Sequence, residues 1–378
     1  MTNAINAGFA HNARPFLYGP EEAAICEALQ SGYYNHSAGT DRFEAEVARF
    51  LGVEDTVAVA SGTAALHVAL LSAGVGPGHE VIVPSFTFCA TVQAVLATGA
   101  SPRFADIDPC TLCTESPQVL EALTPSTRAV VPVLYGGRAV DLAEARPLLS
   151  ERGMVVVEDA AHAFGSYSGT VRVGATGEVT CFSFGPIKNL TCGQGGMIVP
   201  RNGAEAATWR RLRSLGITAP AAARASLTTY GVASFGLRVQ MPSLNAAIGL
   251  AQLAYFGRAE TKRKALWRRY AAALRGLAGL AVVDVDIDRT VPHLCAVRVL
   301  DGRDQVFRAL RERGIGVGTH YPPNHLQPAF AHWRRPLPVT EQVGRQIMTL
   351  PFHQHMTDAD VDHVVNELRK VVRTEVRR

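Results

Sequence analysis

Much that would mark a specialised chain is missing here. Net charge is only +4 over 378 residues, and no long block carries one sign. The electrostatic footprint of a nucleic-acid-binding protein is therefore absent. No apolar run reaches membrane-spanning length, so no membrane partner is expected. Residues Met1 to Arg14 lack the charged-then-apolar order of a secretory signal, which makes the cytoplasm the expected compartment. Seven cysteines, an odd number scattered from Cys26 to Cys295, do not make a disulfide framework in a chain this long. The lone Cys110-Thr-Leu-Cys113 pair has no second pair and no metal-spaced histidine. His353-Gln-His355 follows Leu350-Pro351 at a turn and lacks partners, so no metal site is expected. No internal repeat or low-complexity tract occurs.

What is present reads as globular: 47% apolar and 19% charged residues, in a chain long enough for a large core and two domains. An amphipathic helix is predicted over Gly19–Gln30, then a polar loop from Tyr33 to Thr40 and a helix over Arg42–Leu51. From there short β-rich runs alternate with helices. Strands are predicted at Thr56–Ala60, Glu80–Pro84, Pro102–Asp106, Arg128–Leu134 and Met154–Glu158. Helices are predicted at Ala64–Ser72, Phe88–Thr98, Ser116–Leu123 and Leu142–Arg152. Continuously apolar strands alternating with helices imply an α/β domain with a mainly parallel sheet covered on both faces. After Val199 the rhythm changes. A helix over Ala204–Leu215 and a small-residue connection from Pro220 to Leu237 lead into one long helical stretch, Ser243–Leu277. A smaller α+β region follows, with strands at Ala281–Val285 and His293–Leu300 and helices at Asp304–Arg313 and Thr357–Val372. The predicted division is a large domain over residues 1–250 with an N-terminal helical arm, and a small one over residues 251–378, joined by the long helix. The basic runs Arg210-Arg211-Leu-Arg213 and Lys262-Arg-Lys264 are expected on solvated helix faces.

Four places could carry chemistry. Ser61-Gly62-Thr63-Ala64 lies between a strand and a helix, where exposed backbone N–H groups make an anion site, although Ser and Thr there also serve as plain N-caps. Phe86-Thr-Phe88 follows another strand, and one of its rings could pack in the core or stack on a heterocycle. Glu158-Asp159-Ala-Ala-His162 sits at the carboxyl end of a strand, the place where open α/β sheets hold ligands. Asp159 could face a protonated nitrogen or cap the next helix. Lys188 lies past a Gly-Pro turn in a Gly-rich loop between two apolar strands, and a lone loop lysine is ordinarily a solvated cation. Taken together, a phosphate cradle, a stacking ring, an acid for a ring nitrogen and a lysine are what a pyridine aldehyde phosphate requires. That points to pyridoxal 5'-phosphate (PLP).

The ordered motifs Ser61-Gly-Thr-Ala-Ala-Leu66, Pro84-Ser-Phe-Thr-Phe88, Glu158-Asp-Ala-Ala-His-Ala163 and Ser183-Phe-Gly-Pro-Ile-Lys-Asn-Leu-Thr-Cys-Gly-Gln-Gly-Gly196 resemble the DegT/DnrJ/EryC1/StrS family of PLP-dependent nucleotide-sugar aminotransferases. The likeness extends to Asn245–Leu253, to His320-Tyr-Pro-Pro-Asn-His-Leu-Gln-Pro328 and to Leu350-Pro351. It implies the type I PLP-dependent transferase fold, with a seven-stranded-type sheet in the large domain, and homodimers whose active sites are shared. It further implies Lys188 as the Schiff-base lysine and proton shuttle, Asp159 on the pyridine nitrogen and His162 by the ring's phenolic oxygen. Phe88 would stack on the ring, and Gly62, Thr63, Ala64 and Ser183 would hold the phosphate. Two departures stand out. Gln194 replaces an acid common in the loop after the lysine. Gly236-Leu-Arg-Val-Gln-Met241 replaces a stretch whose asparagine reaches the partner's phosphate, leaving Arg238, with Gln240 as the alternative, to make that contact. The implied reaction is transamination of a nucleotide-linked keto-sugar, most similar to the 4-keto class, with glutamate or glutamine as amino donor. Sugar dehydratases of the same family replace the lysine, so Lys188 argues against that alternative. The intact set Asp159, His162, Ser183 and Lys188 argues against a non-catalytic sugar-nucleotide-binding relative.

Overall fold

The computed structural model describes residues 8–219 and 226–375. Helices α1 (Pro20–Gln30) and α2 (Ala38–Leu51) open the chain. Helix α2 starts inside the segment expected to be a loop, because Ser37 and Thr40 close a capping box that satisfies its first N–H groups. The alternating region follows: β1 (Val57–Val59), α3 (Gly62–Ser72), β2 (Glu80–Pro84), α4 (Cys89–Leu96), β3 (Ser101–Ala105), α5 (Ser116–Ala122), β4 (Thr127–Val130), α6 (Arg146–Glu151) and β5 (Val155–Asp159). Helix α6 begins four residues later than its apolar pattern predicts. Pro147 sits in its first turn, where a missing N–H costs nothing, and Pro disfavours helical backbone before it. A small hairpin, β6 (Tyr167–Ser168) and β7 (Val171–Arg172), precedes β8 (Val179–Ser183) and β9 (Gly196–Val199).

Seven strands make one sheet in the order β1-β9-β8-β5-β4-β2-β3. The pairs β2/β3, β2/β4, β4/β5 and β5/β8 are parallel, while β9 runs antiparallel to β1 and β8. This is the mixed, mostly parallel sheet of the type I transferase fold. Its strands are apolar because helices cover both faces. Helix α3 buries Ala65, Leu66, Val68, Ala69 and Leu70 against that sheet.

Helix α7 (Gly203–Leu212) leads to an antiparallel excursion in which Thr218 and Gly231, and Ala233 and Gly216, share backbone hydrogen bonds. Residues 220–225 of the expected Pro220–Leu237 connection lie outside the described residues. The single long helix expected over Ser243–Leu277 is instead two, α8 (Ser243–Ala254) and α9 (Phe256–Leu274), separated at Tyr255 with φ −109° and ψ 8°. Tyr255 stacks at 5.2 Å on Tyr18, so a ring contact falls where the helix breaks. Strands β10 (Leu280–Val282), β11 (Cys295–Val299) and β12 (Ile347–Leu350) form a second, antiparallel sheet. Helices α10 (Arg303–Glu312) and α12 (Asp358–Glu375) pack with it around a core including Leu266, Val297, Leu310, Met348 and Leu368. Helix α11 (Pro338–Gln346) and β12 were not foreseen; β12 is only four residues long and too short for a periodic signal. Among the described residues no helix is long and apolar enough to cross a membrane.

The basic runs are only partly solvated. Arg213 is buried and pairs with Glu44, itself buried, and Glu44 also accepts from Arg210 and from the Ala58 N–H at 2.8 Å. Arg263 is buried too, donating to the carbonyls of Pro292 and His293. Helix amphipathicity could not reveal this, since both arginines are drawn inward by acceptors distant in sequence. Arg268 and Arg269 remain on the exposed face with Asp288, Asp358 and Asp362. Removing one partner of a buried pair strands the other charge without water. Glu44→Ala is expected to destabilise the protein by about 3–5 kcal/mol in chemical denaturation. A loss under about 1 kcal/mol would show the pair to be solvated.

Candidate active site

The sheet's carboxyl ends and the loops beyond them enclose a cavity of about 470 Å³. At one side stands the N-terminus of α3. The Ser61 hydroxyl accepts the Ala64 N–H at 3.1 Å, so the N-cap reading of Ser61 holds in the structure. Gly62 and Thr63 contribute first-turn N–H groups with no intrahelical acceptor, and both line the cavity with Ser183. The fit here is close. A Cβ on Gly62 would meet the Ser183 Cβ at 2.7 Å, and one on Gly196 would meet the Ser61 carbonyl oxygen at 2.3 Å. Only glycine lets the helix end approach the ends of β8 and β9 this tightly. N–H groups, a hydroxyl and the positive end of a helix converge on one point, which suits a phosphate.

At the opposite side is Asp159, the last residue of β5. It is buried, and its Oδ2 accepts from the Thr91 hydroxyl at 2.7 Å while Oδ1 accepts from the Ala161 N–H at 3.1 Å. No helix follows directly, so Asp159 is not an N-cap. Burial raises its pKa, opposed by those two hydrogen bonds and by the Lys188 charge. Thr91 is in turn 2.8 Å from the Thr87 hydroxyl. Because Thr91 gives its proton to Asp159, Thr87 donates to Thr91. Neither threonine was singled out from sequence, though their i, i+4 spacing at the start of α4 was a usable signal.

Lys188 sits in the loop between β8 and β9. The loop is pinned at both ends: Phe184 N–H donates to Gly195 O at 2.8 Å, and Cys192 N–H to Phe184 O at 2.9 Å. The next residue, Asn189, is buried and donates to Val291 O at 2.9 Å. The lysine is therefore held in the cavity wall and is not a free surface cation. Burial lowers its pKa to about 8, with Asp159 pulling the other way. The shift raises the neutral fraction near physiological pH far above that of an ordinary lysine, which is what a nucleophilic amine needs.

His162 lies behind these groups. Its Nδ1 accepts the Gly136 N–H at 3.3 Å, its Nε2 is 3.0 Å from the Tyr321 hydroxyl, and the His293 ring is 4.2 Å away. Burial first, then the Lys188 charge, holds His162 well below the usual histidine range. Burial and the same lysine bring His320 down to about 4. Phe88, the exposed residue just before α4, presents its ring at the mouth, 5.8 Å from Tyr321. Gln194 lines the cavity as well.

The structure thus brings Gly62, Thr63, Phe88, Asp159, His162, Ser183 and Lys188 to one cavity. Ala64 is adjacent, but its N–H is spent on Ser61. Arg238 is exposed and does not line this cavity, and Gln240 bridges to Val59 in the sheet. Among the described residues no cluster of metal ligands occurs. His353 and His355 are taken up by the carbonyls of Gly8 and Pro15.

The model of the DegT/DnrJ/EryC1/StrS aminotransferase family matches residues 18–369, and the chain belongs to that family. Solved structures agree. The chain is similar to the aminotransferase TlmJ from Streptoalloteichus hindustanus, with 34% identity, 96% of this chain and 99% of that one covered, and a TM-score of 0.90. It is similar to the sugar aminotransferase CalS13 from Micromonospora echinospora, with 29% identity, 95% and 99% coverage and a TM-score of 0.89. Spr1654 from Streptococcus pneumoniae, solved in a PLP form, matches at 25% identity, 96% and 98% coverage and a TM-score of 0.88. The protein is a PLP-dependent aminotransferase, and the cavity fits that cofactor: anion cradle, buried carboxylate, aromatic face and amine are all present.

An amine that captured the cofactor aldehyde would have to be unprotonated, so if Lys188 is that amine its protonation would set the rate of capture. Below its pKa the neutral fraction falls about tenfold per pH unit. Capture of PLP by cofactor-free protein, followed by absorbance, should rise with pH and level off above about 8. A rate independent of pH from about 6 to 9 would contradict the assigned environment.

Proposed function

We propose that the protein aminates a nucleotide-activated keto-sugar of the 4-keto class, with glutamate or glutamine as amino donor. The observation that carries the reading is the pairing, in one cavity, of a low-pKa amine at Lys188 with the buried carboxylate of Asp159 beside a helix-end anion cradle. When bound, PLP supplies an electron sink for the carbanion formed beside the substrate nitrogen. Asp159, fixed by Thr91 and Ala161, keeps a negative charge where a ring nitrogen must stay protonated. Lys188, as a base of moderate strength, removes and returns the proton at the substrate carbon. Gly62, Thr63 and Ser183 would hold the phosphate, and Phe88 would cover one face of the ring. The sugar class rests on similarity to sugar aminotransferases such as CalS13.

The reading includes a homodimer with shared sites. Tyr33, Leu227, Tyr230, Val232 and Phe235 expose apolar surface, and Arg238 beside that stretch does not line the cavity that holds Lys188. Arg238, or Gln240 in its place, would then reach the phosphate of the neighbouring subunit. A light-scattering mass of twice the chain supports this assembly, and the mass of one chain contradicts it.

The reaction has a direct test. Glutamate or glutamine added to cofactor-loaded protein should bleach its yellow absorbance, and one member of a panel of nucleotide keto-sugars should restore it with formation of an amino sugar by mass spectrometry. Lys188→Ala should lose turnover by about 10³-fold or more, since it removes both the nucleophile and the proton carrier. Full transamination by that variant would overturn the reading.

A further inference from the structure

From sequence His293 was only the first residue of an expected strand, yet it sits directly behind the lysine loop. It is buried, two residues before β11. Its backbone is committed on both sides. The N–H donates to the Gly136 carbonyl at 2.9 Å, and the carbonyl accepts from the buried Arg263 guanidinium at 3.1 Å. Its ring lies 4.2 Å from that of His162, inclined by 32°. Its Nδ1 is 3.3 Å from the side-chain oxygen of Asn189, the residue that follows Lys188.

The proton positions follow from the neighbours. Asn189 Nδ2 donates to the Val291 carbonyl at 2.9 Å and to that of His162 at 3.3 Å, which uses both hydrogens of the amide. The amide oxygen can only accept, so His293 Nδ1 carries a proton and donates it. Burial first, then the charges of His162 and Lys188, holds His293 well below the usual histidine range. The ring is therefore neutral, with a lone pair on Nε2. His162 has the opposite tautomer, because the Gly136 N–H donates to its Nδ1 and leaves the proton on Nε2. One peptide group, at Gly136, thus accepts from the His293 N–H and serves the His162 ring.

We propose that His293 is a positioning residue for the reaction: its Nδ1–H, given to Asn189, holds the loop that carries Lys188, while its backbone bond to Gly136 fixes the tautomer of His162. The proposal rests on Lys188 being the amine that takes the cofactor, as read above. His293 itself touches no reacting atom. Its effect reaches the amine through the peptide bond between Lys188 and Asn189. Asn189 is buried, so its oxygen without a donor must turn to water, and the loop turns with it. More water around Lys188 restores the amine's affinity for its proton.

Two substitutions separate the donor from the bulk of the ring. His293→Asn keeps an N–H at the place of Nδ1 and loses the ring, whereas His293→Phe keeps a ring and loses the N–H. Capture of PLP by cofactor-free protein is followed by absorbance from about pH 6 to about pH 9. In His293→Phe the level-off should move up by about one pH unit, which slows capture about tenfold at neutral pH. His293→Asn should stay within about threefold of wild type. Amide hydrogen exchange in the cofactor-free protein should quicken in the peptide containing Lys188 for His293→Phe and not for His293→Asn. Nitrogen-15 NMR of the wild type, which depends on no variant folding, should show His293 protonated at Nδ1 and His162 at Nε2. The opposite ranking of the two variants would make His293 a packing residue. Equal profiles in both variants, normal or slowed, or a His293 proton on Nε2, would remove the donor. Each of these results overturns the proposal. A wild type that carries the cofactor on another lysine after borohydride reduction sinks the reading of Lys188 and this proposal with it. Labelling at Lys188 with an unaffected His293→Phe sinks this proposal alone.

Discussion

The site depends on holding a buried carboxylate and a half-buried amine in the same cavity. Each alone is costly to bury, and each offsets part of the other's cost. Asp159 stays ionisable because Thr91 and the Ala161 N–H solvate it in place of water, and Lys188 is near enough to stabilise its charge. Lys188 in turn loses affinity for its proton through burial while Asp159 limits the loss. The balance leaves a titratable amine near neutral pH. The surrounding imidazoles are pressed toward neutrality by burial and by the same lysine, so they act as hydrogen-bonding groups and add no competing positive charge.

The fold makes this pairing available through strand order. Strand β5 pairs in parallel with β8, with Asp159 opposite Cys181, so the acid ends one strand as its neighbour runs on to Ser183. The chain turns after Ser183 through the lysine loop and returns as antiparallel β9, with Ser183 opposite Gly196. Helix α3 lies across those two ends at Gly62. The helix-end N–H groups, the amine and the acid therefore lie together at the ends of neighbouring strands of one sheet. Tyr321 joins the cavity wall from the segment carrying the second sheet, and His293 of that segment packs on His162.

Much of this was legible in the residues. The β/α alternation from Val57 to Asp159 announced a parallel sheet, and the glycine-flanked Lys188 and Ser61–Thr63 motifs named most of the cavity in order. Three kinds of feature were not legible, each for a physical reason. The break at Tyr255 has only Gly257, inside the next helix, as a local signal, and it coincides with a contact to Tyr18 from over two hundred residues away. Arg213 and Arg263 look like solvated helix charges, because burial depends on acceptors at Glu44 and at the Pro292 and His293 carbonyls. Thr91 acts through its contact to Asp159, 68 positions distant, and pattern reading along a chain sees no such pairing.

The chain contains only four lysines, Lys188, Lys262, Lys264 and Lys370. Lys262 and Lys264 lie on α9 and Lys370 on α12, away from the cavity. Borohydride reduction of the cofactor-loaded protein, followed by peptide mass spectrometry, fixes the cofactor to whichever amine holds it. The account predicts a single modified peptide, carrying the pyridoxyl group on Lys188. Modification of Lys262, Lys264 or Lys370 in its place, or of no lysine at all, would contradict it.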